Sequence, residues 1–220
     1  MAAIQVSPNL RGSSSPHRRP GDARLIEPAL ALIEYSSIAA GLQAADAVVK
    51  KAQIRVLKVG TIQPGKFLVL FGGEVGDVEE SLAAGRQLGG EAVIDYVYLP
   101  VVHPEVVEAV TGSRHPQPID ALGVIETTSV ASTILAADAG VKGAEVHLVE
   151  IRLGDGLGGK GIVLYSGLVA DVEAAVAIGV GVLRRPEHLV RQVVIPQLHA
   201  EMWANVSDST RFRQRVTESK

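Results

Sequence analysis

Residues 29–52 read ALALIEYSSIAAGLQAADAVVKKA, and 92 positions later residues 121–144 read ALGVIETTSVASTILAADAGVKGA. Ile33-Glu34 returns as Ile125-Glu126, Ser37 as Ser129, the run Ala44 to Ala47 as Ala136 to Ala139, and Lys50 as Lys142. Further on the spacing grows to 94, pairing Gly65-Lys66 with Gly159-Lys160, Gly73 with Gly167 and Asp77-Val78-Glu79 with Asp171-Val172-Glu173. By the end of the unit it is 96, pairing Leu99-Pro100 and His103 with Ile195-Pro196 and His199. A two-residue insertion in the second copy's loop accounts for the first change. Self-similarity over this length is the mark of a duplicated supersecondary unit. It sets two domains, 25–113 and 118–205, joined near Ser113 to Pro118.

Each copy carries the same order of elements. In the first, PALALIEYSS reads as a strand and Ser37 to Ala52 as a helix with apolar residues at helical spacing and Ser36 or Ser37 as N-cap. QIRVLKVG alternates as a strand, TIQPGK turns the chain at Pro64 and Gly65, and FLVLFGG returns as an apolar strand. Glu74 to Leu88 is a second helix with acids in its first turn, where they complement the helix dipole. AVIDYVYLP closes the unit and HPEVVEAVTG adds a short helix. The order β-α-β-β-α-β predicts an α/β sandwich, with helices packed on a mostly antiparallel sheet.

Composition bounds the function. The chain has 220 residues, 47% of them hydrophobic, and a formal net charge of -3. It can therefore bury a large core and has no bias towards nucleic acid. There is no cysteine, which excludes disulfides and thiolate-held metal and fits a reducing compartment. No apolar run approaches the roughly 18 residues of a membrane span, and no signal peptide precedes the first domain. A cytoplasmic location is the expectation, with neither membrane nor nucleic acid as partner. Residues 1–24, rich in Ser, Pro, Gly and Arg, are expected to be a disordered extension, either without a role or acting as a basic docking arm. Residues 206–220 are expected to be a flexible tail.

Within RLGDGLGGKG (152–161), Gly154 to Lys160 fits half of a P-loop. Gly161 stands where Ser or Thr should hold magnesium, a strand rather than a helix follows, and Asp155 has the wrong sign for a phosphate site. The loop is therefore read as joining two strands, equivalent to Thr61–Lys66 in the first copy. An ordinary hairpin and a Gly-rich rim of an aperture both remain open. Six histidines are scattered without metal-ligand spacing. His103 and His199 read as polar residues at a domain edge. Glu34 and Glu126 end the first strand of each copy, open either to acid-base chemistry across a junction or to backbone hydrogen bonding. Asp46 with Lys50, and Asp138 with Lys142, have the spacing of helical ion pairs.

Taken together, these motifs resemble the tandem-domain, trimeric bacterial microcompartment (BMC) shell proteins. The resemblance runs from Pro28 to about Trp203 and rests on the two stretches above, on TIQPGKFLVLFGGEVG, GGKGIVLYSGLVADVEAAV and VIPQLHAEMW. It is nearest to the single-layer trimers of propanediol-utilisation compartments. The resemblance implies a structural, non-enzymatic shell tile, a homotrimer shaped as a pseudohexagonal disc. It further implies a central pore for small metabolites lined by Gln63, Pro64 and Gly65, with Asp155, Gly156, Leu157 and Gly158 beside them. Lys50 and Lys142 match the edge lysines through which such discs meet other shell proteins, hexamers and pentamers, and encapsulated enzymes are further partners. Gln63 stands where the cluster-bearing relatives have cysteine, so no iron–sulfur cluster and no other cofactor or metal is expected. Val101 and Gln197 follow the final-strand prolines, where the family often has arginine. The rival readings are a small-molecule-binding sensor with ligand at the domain junctions and a nucleotide-using enzyme built on Lys160.

Overall fold

The computed structural model describes residues 28–114, 116 and 120–211. The expected disordered extension, 1–24, and the last residues of the expected tail, 212–220, lie outside them. The first domain comprises β1 (Ala29–Tyr35), α1 (Ile38–Lys51), β2 (Val56–Ile62), β3 (Lys66–Gly73), α2 (Val75–Gly89), β4 (Val93–Leu99) and α3 (Pro104–Val110). The second repeats it as β5 (Ala121–Thr127), α4 (Val130–Gly143), β6 (His147–Leu153), β7 (Gly161–Gly167), α5 (Val169–Gly181), β8 (Leu189–Pro196) and α6 (Ala200–Asp208). Each sheet has four strands, ordered β2-β3-β1-β4 and β6-β7-β5-β8, and every pairing is antiparallel. The expected fold class is thus the observed one.

β1 is buried along its whole length, which is why, Glu34 apart, it reads as an apolar run rather than an alternation. Ala31, Ile33 and Tyr35 pack with Ala44, Val48, Val78 and Leu82 of α1 and α2. Leu30 and Leu32, on the opposite face, belong to a second core that crosses into the other domain, taking in Val106 and Val107 of α3 and Val130, Ile134 and Val141 of α4. Small residues bring the layers close. In the second domain a Cβ on Gly123 would lie 2.7 Å from Val172 and 2.9 Å from Val176, so α5 sits directly on the backbone of β5.

α1 and α4 start at the expected serines: Ser37 accepts from the amide of Ala40 and Ser129 from that of Ser132. His103 and His199 turn out to do the same work, their Nδ1 atoms capping α3 and α6 by accepting from Glu105 and Glu201. The tail begins later than the sequence suggests. α6 continues to Asp208, Trp203 and Val206 pack against Leu122, Val149 and Leu164, and the Thr210 hydroxyl donates to Glu150 at 2.6 Å.

Candidate functional site: a domain junction and two glycine-rich loops

The register of β1 and β3 sets Glu34 opposite Leu68, which places Lys66 on the same face two residues away. The Lys66 ammonium meets the Glu34 carboxylate at 2.6 Å and also donates to the carbonyls of Thr128 and Gly159, at 3.1 and 3.2 Å. Glu34 uses its other oxygen to accept from the amide of Val130, the first residue of α4, at 2.9 Å. A carboxylate at a helix N-terminus is favoured by both the free amides and the dipole. Glu34 and Lys66 therefore tie the first domain to the second. The alternative of acid-base chemistry loses its basis here, because Glu34 is fully buried with both oxygens engaged.

Beside this pair lies a second buried set. Asp95 on β4 accepts from the hydroxyls of Ser129 (2.5 Å) and Ser132 (2.8 Å), while His188 lies 2.8 Å from Ser132 and 3.3 Å from Asp95. Since the single Ser132 hydroxyl hydrogen goes to Asp95, His188 Nδ1 is the donor in its bond to Ser132. Serine, histidine and aspartate meet here as a closed network, with the serine hydroxyl spent on the aspartate rather than aimed at a substrate. At the far end of the junction the Lys142 ammonium binds Asp138 and the carbonyl of Val101, and Asp138 accepts from the amide of His103 at 2.8 Å.

The turn after β2 and the loop after β6 touch at Gly159. The turn between β2 and β3 is Gln63, Pro64 and Gly65, all exposed, with a cis Gln63–Pro64 bond and Gly65 at φ 99°. The loop between β6 and β7 carries Gly154, Gly156, Gly158 and Gly159 at positive φ, a region that side chains rarely enter. A Cβ on Gly159 would lie 2.7 Å from the Gln63 carbonyl and 2.9 Å from Pro64. Asp155, Gly156 and Gly158 are exposed and Leu157 half-buried. Lys160 pairs with Glu126 at 2.5 Å and a strand follows it, so the phosphate-loop reading finds neither a free lysine nor a helix. Gln63 presents an amide, and with no cysteine in the chain the turn does not fit a thiolate-held iron–sulfur cluster.

Sequence reasoning singled out Glu34, Glu126, Lys66 and Lys160 separately but did not pair them. Their joint repetition was the available signal. Asp95 and His188 gave none, because the second copy has Arg191 opposite Glu126, where the first has Asp95 opposite Glu34.

Comparison with known proteins places the chain. The BMC domain model matches residues 29–102 and again 121–198, and the chain belongs to that family. It is 39% identical over 175 residues to the bacterial microcompartment shell protein PduT of Citrobacter freundii, covering 80% of this chain and 95% of PduT. One repeat's length, 85 residues, is 38% identical to the shell protein EutM of Salmonella typhimurium, covering 38% of this chain and 85% of EutM. Among solved structures, a microcompartments protein from Desulfitobacterium hafniense superposes with a TM-score of 0.70 at 44% identity, covering 79% of this chain and 97% of that one.

Proposed function

We propose that the chain is a structural, non-enzymatic tile of a bacterial microcompartment shell. Three copies close into a pseudohexagonal disc whose centre is a metabolite pore formed by Gln63, Pro64, Gly65 and residues 155–158. Domains 25–113 and 118–205 are its two repeating wedges.

One observation carries this reading. Residues buried at the junction inside the chain have repeat counterparts that are exposed apolar side chains. Ile134 is fully buried and its counterpart Leu42 is 55% exposed; Val106 is fully buried and its counterpart Met202 is 53% exposed. Val130, Val141 and Val97 are buried, whereas Ile38, Val49 and Val193 are exposed. The first domain thus has an uncovered α1 face, and the second an uncovered β8 and α6 face. They are the two halves of the junction already formed once. Joining them between copies makes a head-to-tail contact, which closes into a ring when the rotation divides the circle. Six wedges, two per chain, close with three chains. The polar contacts carry over as well: Glu126 and Lys160 are poised for the α1 N-terminus of the next copy as Glu34 and Lys66 are for α4.

In the disc the glycine-rich turns lie at the inner end of each sheet and Lys142 with Val101 at the outer end. Lys50 and Lys142 are thereby perimeter groups for contacts with neighbouring shell proteins, and the disc belongs to shells in the cytoplasm. Three Gln63 amides would line the pore with donors and acceptors and no net charge, suiting small polar solutes. The test is electron microscopy of purified protein at high concentration. Flat sheets that vanish on Lys50→Ala, with the trimer intact, are expected; absence of sheets from the unaltered chain, alone and with a hexameric BMC shell protein, would contradict the tile.

A further inference from the structure

At the same junction, beside the start of β4, three arginines converge on one cleft. It has a volume of about 670 Å³ and is walled by the end of α2 (Arg86, Gln87), by Val93 to Tyr96 of β4, and by Arg184 and Arg185, which enter from the second domain. The guanidiniums of Arg86 and Arg184 both stack on the ring of Tyr96, at 3.8 and 4.2 Å from its centroid. Arg185 is held by the Ile94 carbonyl at 3.1 Å, and Arg184 reaches Asp95 at 3.4 Å. On the other side of the stacked arginines a second hollow of about 530 Å³ is lined by Leu82, Val97, Tyr98, Leu135 and Val182, with Glu79 at its wall.

The charge in this cleft is not balanced by the protein. Asp95 offsets one of the three guanidiniums and is itself committed to Ser129 and Ser132. Among the described residues, Arg86 and Arg185 have no carboxylate within ion-pair distance. Like charges gathered in one concavity repel, and an entering anion would relieve that repulsion. Stacking on Tyr96 and the bond to Ile94 hold the forks in place, so less side-chain freedom is lost on binding. A volume of this size lies in the range of small-molecule sites.

We propose that this cleft is a binding site for a phosphate dianion, free or as the phosphoryl group of a small organic ester, with the largely apolar hollow beside it receiving the organic part. Planar guanidinium forks match phosphate oxygens in pairs, and two uncompensated positive charges match a dianion. The site is confined to one kind of junction. In the second repeat Val180 stands where Arg86 stands in the first, and Arg191 where Asp95 stands, so the cleft is not reproduced there. Its existence does not depend on a central pore, because all its walls come from one chain.

Isothermal titration of the full chain with inorganic phosphate and, separately, with glycerol 3-phosphate tests the site. Saturable binding at one site per chain is expected for at least one of the two. The Arg86→Gln/Arg185→Gln variant should bind about tenfold more weakly or not at all, and Lys58→Gln, an exposed cation on β2, should bind as the original. Equal affinities assign the site to free phosphate, and tighter binding of the ester assigns it to a phosphoryl group with its organic part. Far-UV circular dichroism, unchanged in the variant, shows that loss of binding is not loss of fold. No saturable binding of either probe, or binding that survives the double substitution, would overturn the site while leaving the shell reading untouched.

Discussion

The carboxylate of Glu34 accepts from the amide of Val130, 96 residues away in the chain and in the other domain, at 2.9 Å. Glu126, its counterpart, holds Lys160 at 2.5 Å, and among the described residues no helix N-terminus donates to it. Glu34 is buried against the second domain and Glu126 is only partly covered, and their substitutions should differ accordingly.

Glu34→Ala removes one partner of a buried ion pair and leaves Lys66, 17% exposed, with the carbonyls of Thr128 and Gly159 alone. Breaking such a pair costs about 3 kcal/mol, so chemical denaturation should show a clear loss of chain stability. Glu126→Ala, at the half-buried counterpart, should leave the denaturation midpoint of the dissociated chain close to the original. It should instead weaken association, by about tenfold or more in dissociation constant. Analytical ultracentrifugation across a concentration series separates the two effects.

Alkaline stability depends on two buried tyrosines. Tyr35 donates to the carbonyl of Gly85 at 3.1 Å and Tyr165 to that of Ala136 at 2.7 Å, and burial pushes both phenols well above their ordinary value. Above pH of about 10 the unfolded chain loses phenolic protons that the folded chain keeps. Their contribution to stability is thus complete below that pH and declines as pH rises beyond it. Urea midpoints measured from pH 8 to 11 should fall above pH 10, and Tyr35→Phe/Tyr165→Phe should flatten the fall while lowering stability at pH 8 by about 1 kcal/mol per lost hydrogen bond.

Gln63→Cys creates the only thiol in the chain. If three copies of the turn surround one axis, a short tris-maleimide should convert the variant to a covalent trimer on a denaturing gel, at dilutions where chance encounters are negligible. Single-chain product alone would put the turn away from the axis.

The duplication made the element order legible, because strand and helix periodicities repeat in register. The helix expected at Ser37–Ala52 is Ile38–Lys51 with Ser37 as its cap. What stayed hidden depends on contacts that only the folded sheets create. Glu34 and Lys66 are 32 residues apart and meet through the β1–β3 register. Ile38 and Val130 look alike in sequence, yet one is exposed and the other buried, because only one has a neighbouring domain within the chain. The arginine cleft breaks the repeat, so reasoning from the repeat passed over it. α6 carries no buried residue, and only its last turn, Val206 to Asp208, fell within the expected tail.

The central claim is that the exposed faces of α1 and of β8 with α6 join between copies until a ring closes. Light scattering of the purified chain in solution tests it most directly. A mass of about 69 kDa, three times 23.1 kDa, is the predicted result, falling towards one chain in Leu42→Glu, which sets a charge on the α1 face. A mass of 23.1 kDa for the unaltered chain at micromolar concentration would contradict the ring and the pore with it.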